Sequence, residues 1–135
     1  MGKALPTITG VLSAACIVMI APSAAYARDS GRDLEAATAT LKERTAAWAN
    51  CLSTSSRRYN ATGAAIELVV SAAFGDCTDQ ELDVKIATLP VWGLTHLSSA
   101  TVASAEDGAI VETLAARNRF REQMIGVLLL LRAKP

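Results

Sequence analysis

The chain has one histidine in 135 residues, at position 96, and that scarcity restricts the available chemistry before any motif is sought. A hydrolase needs a nucleophile, a base and a group that orients the base. Only His96 offers the usual base, and no serine stands in a Gly-x-Ser-x-Gly elbow. A partly buried ring bonded to backbone is the plainer expectation for that residue. Metal binding is no better served. Cys51, Cys77 and His96 are ligand types, but they lack the close Cys-x2-Cys or His-x3-His pairs that hold an ion locally. Asp76, Asp79, Glu81 and Asp83 miss the spacing of a calcium loop, and helix capping and dipole complementation account for them. The expectation is a protein that is not an enzyme and carries no metal or cofactor.

Three further shortages narrow the class. Aromatic residues make up only 4% of the chain while apolar residues make up 51%, much of it alanine. A core of small and aliphatic side chains suits closely packed helices rather than a β-sandwich. Lys and Arg together number 13, as do Asp and Glu, so there is no basic excess to displace counterions from a nucleic acid. No apolar run reaches the roughly 20 residues that a membrane-spanning helix needs. No internal repeat, low-complexity tract or linker to a second domain is visible either.

What is present begins with a leader. Lys3 gives a thin positive start, Ile8 to Ile20 form an apolar core, Pro22 breaks it, and Ala25-Tyr26-Ala27 is a small-x-small cleavage site. Residues 1–27 therefore read as a signal peptide, with an uncleaved anchor as the alternative. Cys16 is a poor lipid acceptor, because Ser13 stands where a large aliphatic residue is expected and the apolar core continues past it. Cleavage after Ala27 leaves 108 residues with 12 basic and 13 acidic side chains, enough for one helical domain over 28–135. The expected destination is the periplasm or the exterior.

Only Cys51 and Cys77 remain in that processed chain, and an oxidising compartment favours their pairing. The bridge closes a loop of 27 residues. Chain entropy assigns it about 3.5 kcal/mol of stabilisation, a large share of the roughly 5–15 kcal/mol that holds a domain together. The expected fold is all-α: a small disulfide-pinned bundle of three main helices and a short one.

The periodicity supplies the helices. Leu34, Ala37, Leu41, Thr45, Trp48, Leu52, Ser55 and Tyr59 step by three or four and predict a helix over 33–59, with Ser30 or Asp33 as its cap. Residues 60–63 read as a turn, with Asn60 or Thr62 able to cap the next helix; Asn60-Ala61-Thr62 also has the form of a glycosylation sequon. A second helix over 63–74 places Ile66, Val70, Ala73 and Cys77 on one face. Thr78-Asp-Gln-Glu81 has the form of a capping box, opening a short helix that carries Leu82, Ile86 and Leu89 and ends at Pro90. Residues 91–105 fit helical turns or a packed loop equally well.

The final helix, from about Glu106 to Arg132 with Ser104 as its cap, shows one candidate face through Ile110, Leu114, Arg117, Arg121, Met124, Leu128 and Leu131. Its arginines fit a solvated helix segment, or contacts to phosphates or an acidic partner. Its apolar tail 125–131 fits either the buried end of the helix or a docking surface. Arg117, Arg121, Ile125, Leu128 and Leu129 are accordingly the candidate contacts to a partner or membrane. The leading functional expectation is an exported helical accessory protein that binds an unknown protein partner. The alternatives are a peripheral membrane-surface protein using this last helix, a self-associating chain, and a small enzyme around His96.

Overall fold

The computed structural model describes residues 23–96, 98 and 101–133, so the apolar leader core, Cys16 and Lys134 lie outside the described residues. Within that range the fold is all-α, with four helices and no strand: α1 (Ser23–Asn60), α2 (Ile66–Asp76), α3 (Thr78–Thr95) and α4 (Val102–Arg132). Cys51 and Cys77 form a disulfide, with their Cα atoms 5.9 Å apart.

α1 keeps the predicted phase. All eight residues of its apolar stripe are buried or half-buried, and the polar positions between them are exposed apart from Ser56, which is buried and donates to the Ser53 carbonyl. Its start differs. The helix begins at Ser23 instead of near Asp33 and so runs through the predicted cleavage site. Alanine at 24, 25, 27, 36 and 37 favours helix strongly enough to carry the chain through Gly31 and past both predicted caps. Three inward-facing threonines are satisfied locally. The hydroxyls of Thr45, Thr88 and Thr113 donate to the carbonyls of Leu41, Val84 and Ala109, each one turn back.

Gly63, in the left-handed region at φ 74°, turns the chain out of α1. Neither Asn60 nor Thr62 caps α2. Asn60 closes α1, the Thr62 hydroxyl donates to the Tyr59 carbonyl, and Ala65 stands at the N-cap without a side-chain bond. Only Cys77 separates α2 from α3, serving as C-cap of one and N-cap of the other. From that corner α3 returns antiparallel to α1, placing Asp83 3.4 Å from Arg44. α4 then runs antiparallel to α3 and parallel to α1. Its end is tied to the end of α1 by Arg132, which donates to Asn60 Oδ1 at 2.8 Å and to the Ala64 carbonyl at 2.6 Å.

α3 departs from the sequence reading in three respects. It is 18 residues long, so the short helix of the bundle is α2, with 11. Its buried residues are Val84, Ala87 and Thr88, whereas Leu82 and Ile86 face outward. The disulfide corner sets this phase, because Cys77, Val84 and Val91 are spaced at intervals of seven and return to the same face. No capping box forms, since the Glu81 side chain reaches Arg117 instead. Pro90 lies inside the helix and does not end it. Pro90 and Ile86 are both exposed, so the lost hydrogen bond falls on the solvent side, and packing of the turn beyond offsets a cost of about 3 kcal/mol.

That packing is specific. Trp92 lies against Gly108 so closely that a Cβ on Gly108 would clash with Nε1, Cε2 and Cδ1 of the indole ring. α4 therefore approaches α3 through small residues. It starts at Thr101, whose hydroxyl accepts from the Ser104 amide while the Ser104 hydroxyl accepts from the Thr101 amide, a reciprocal cap three residues before the predicted one. Its buried positions are Ala109, Thr113, Ala116, Met124 and Leu128. Ile110 and Leu114, one step along, are exposed.

Trp48 is fully buried at the centre, and both phenylalanines meet it edge-on: Phe74 from α2 at 6.0 Å and Phe120 from α4 at 5.1 Å. Three helices thus converge on one indole. The glycines of α4 give a paired test. Gly108→Ala must displace the Trp92 ring and is expected to cost about 1–3 kcal/mol by overpacking. Gly126→Ala meets nothing within 4 Å and is expected to stabilise by roughly 0.5–1 kcal/mol. Thermal unfolding followed by circular dichroism reads both.

Candidate functional site

The five contact candidates on α4 do not share one environment. Arg117 is a structural residue. Its Nη1 donates to Glu81 Oε1 at 2.6 Å and Oε2 at 2.5 Å, and its guanidinium stands 4.5 Å from the Phe74 ring centroid. One side chain thereby joins α4 to α3 and α2, with Glu81 mostly buried beneath it. Leu128 is 2% exposed and belongs to the core, and Ile125 packs half-buried against that core. Arg121 and Leu129 remain on the outside.

The docking alternative for the tail 125–131 covers some of the outward residues that surround them, whereas the periodicity puts Ile110 and Leu114 on the inner face and does not mark Val111. Val127, Leu130 and Leu131 are exposed on the last two turns of α4, while Ile110, Val111 and Leu114 are exposed on its first half. Two apolar grooves result. Between α1 and α4 lies one of about 470 Å³, with Leu52, Phe120, Met124, Val127 and Leu131 among its walls and Arg57 at its rim. Between α3 and α4 lies a second, of about 550 Å³, where Leu82, Ile110 and Leu114 stand beside the Glu81–Arg117 pair and Lys85. Both volumes fall in the range of small-molecule sites. The signal that would have found them is the spacing of alanine and threonine on α4: once Ala109, Thr113 and Ala116 are taken as the seam, the leucines must face out.

His96 caps α3 and lies elsewhere. Its Nδ1 is 2.9 Å from the Trp92 carbonyl and 3.0 Å from the Thr95 hydroxyl, and its ring stacks on Trp92 at 4.2 Å. It shares a shallow groove with Glu112 and Arg119. At the far end of the bundle Tyr59 donates to Asp76 Oδ1 at 3.1 Å, and Arg58 contacts both. The Tyr59 hydroxyl first, and then the Asp76 charge, hold the Arg58 guanidinium pKa above its ordinary value. Among the described residues no group of three or more His, Cys, Asp or Glu side chains is arranged to hold a metal ion.

No family model, no curated protein and no solved structure matches the chain. Its function has to be inferred from its own chemistry and geometry.

The Glu81–Arg117 pair tests how the arginines divide between structure and surface. Arg117→Gln and Glu81→Gln are each expected to cost about 1–2 kcal/mol, and the double variant little more than either one. Arg121→Gln, on the outside, is expected to change stability by less than about 0.5 kcal/mol. Urea denaturation of the four variants measures the set.

Proposed function

We propose that this is an exported, non-enzymatic helical protein, periplasmic or secreted, that acts by binding a partner through the outer surface of α4. The observation that carries the reading is the divided character of that helix. Small residues and threonine form its inner seam, and seven aliphatic side chains from Ile110 to Leu131 project outward, each at least 39% exposed. A chain that needed those leucines for its core would turn them inward; exposed apolar area of this kind marks interaction surfaces. Export is supported by the leader pattern and by the Cys51–Cys77 crosslink, since disulfides persist where thiols are not kept reduced. Among the described residues, no helix is long and apolar enough to cross a membrane.

Two measurements test this. Expressed from its own leader in a bacterial host, the protein is expected outside the cytoplasm with Arg28 as its first residue and no free thiol; a cytoplasmic, unprocessed and reduced chain contradicts export. For binding, the purified protein is expected to co-sediment with envelope preparations. A variant carrying Leu82→Gln, Leu114→Gln, Leu129→Gln, Leu130→Gln and Leu131→Gln is expected to lose that association while its Tm moves by only a few degrees. A wild type that stays in the supernatant, or a variant that sediments equally well, overturns the reading.

A further inference from the structure

The two apolar surfaces of α4 differ in their electrostatic surroundings. The groove beside α3 is edged by Glu81, Arg117 and Lys85, a mixture of signs. The other surface, at the end of the bundle where α1 and α4 finish together, has Arg57 and no carboxylate in its groove. Among the described residues, the one carboxylate that meets the last turn of α1, that of Asp76, is taken up by Arg58 and Tyr59. From Arg44 to Ile66 and from Gln123 to Pro135 the sequence contains no carboxylate side chain. Arg57 is exposed at this end, and among the described residues Arg132 is hydrogen-bonded to a neutral amide and a carbonyl and to no carboxylate. Arg58, by contrast, is matched by Asp76. The same Arg132 contacts bring the α1–α2 turn alongside, and residues 61–65 there are small, uncharged and mostly exposed.

The apolar residues at this end do not form a flat patch. Val127 is 55% exposed, Leu129 55%, Leu130 71% and Leu131 48%. At about 100° per residue, Leu129, Leu130 and Leu131 alone sweep more than half of the helix circumference. A protein surface laid against α4 would cover one side and leave the others in water. A fluid apolar medium covers all of them at once.

We propose that this end of the bundle, the last two turns of α4 with the α1–α2 turn, docks on an anionic lipid surface. The leucines enter the boundary between headgroups and acyl chains while Arg57 and Arg132 meet the phosphates. The proposal rests on the reading that the outer surface of α4 is a binding surface and names what it binds. Insertion is shallow, because two turns of helix cannot reach across a bilayer. A second copy of the chain is a poor occupant, since end-to-end contact would bring the exposed Arg57 and Arg132 of both copies together.

Flotation of the processed protein, beginning at Arg28, on phosphatidylcholine vesicles with and without phosphatidylglycerol tests the proposal. Removing the apolar leader from every variant leaves α4 and its neighbours as the source of any flotation. The wild type is expected to float with the anionic vesicles and to be released by high salt. Leu129→Gln with Leu130→Gln and Leu131→Gln, and separately Arg57→Glu, are each expected to lower partitioning about tenfold or more with Tm preserved. Leu82→Gln with Leu114→Gln, in the other groove, is expected to float as the wild type does. Equal flotation of all variants overturns the proposal, as does indifference to anionic lipid. A dimer seen by light scattering and lost in the leucine variant gives the surface to a second copy and likewise overturns it. A protein that co-sediments with envelope preparations yet ignores pure vesicles sinks the lipid assignment and leaves the broader binding role standing. Failure in both experiments removes both.

Discussion

The covalent bond between Cys51 and Cys77 decides where the chain may go after its first helix. Cys77 is the whole of the connection between α2 and α3, so fixing its position against α1 fixes two helix ends at once. α2 must fill the space above the bridge with 11 residues, and α3 must leave from it along α1. The rotation of α3 is set in the same way. A helix that starts with Cys77 turned toward α1 turns Val84 and Val91 the same way, whatever the hydrophobicity of the residues between them.

Around that corner the bundle is closed by few but specific contacts. Trp48 lies one turn before Cys51 and receives Phe74 and Phe120 on its ring, so the crosslink and the aromatic cluster reinforce each other. Elsewhere close approach replaces bulk: Gly108 accepts the face of Trp92, and Ala109 and Ala116 continue the seam. A composition with few aromatics and much alanine packs well only when helix backbones come close, which makes those positions intolerant of added volume. Leucines excluded from so tight a seam have nowhere to go but outward. The binding surface proposed for α4 is thus a consequence of how α4 is held.

The same constraints explain which parts of the fold are legible in the sequence. α1 is, because a stripe of eight residues over seven turns leaves no second phase to choose. The disulfide is, because Cys16 falls in the predicted leader and the two cysteines beyond it permit one pairing. α3 misleads because Leu82 and Ile86 are among its most apolar residues and suggest the wrong core face. The tertiary constraint at Cys77 outweighs them, and carrying the phase of that cysteine forward gives the right face. The same bias shifts the first half of α4 by one residue, from Ala109 and Thr113 to Ile110 and Leu114, while Met124 and Leu128 in its second half keep the predicted face. Pro90 marks a helix end by a local rule that the docking of Trp92 overrides. Of the candidate contacts, Arg121 and Leu129 are accessible to reasoning from position alone. Leu128 is legible as core through the periodic face that carries it with Met124, but Arg117 is not, since its role depends on Glu81 and Phe74, which periodicity does not reveal.

The crosslink is the constraint that sets the geometry of the corner. Urea unfolding of the oxidised protein beside a Cys51→Ser/Cys77→Ser variant tests this most directly, with hydrogen exchange read along α2 and the first turns of α3. The crosslinked protein is expected to be more stable by about 3.5 kcal/mol, with the loss of exchange protection concentrated in α2 and at the start of α3. An unchanged unfolding midpoint, with protection in those two helices intact, would mean that packing alone sets the corner and would contradict the claim.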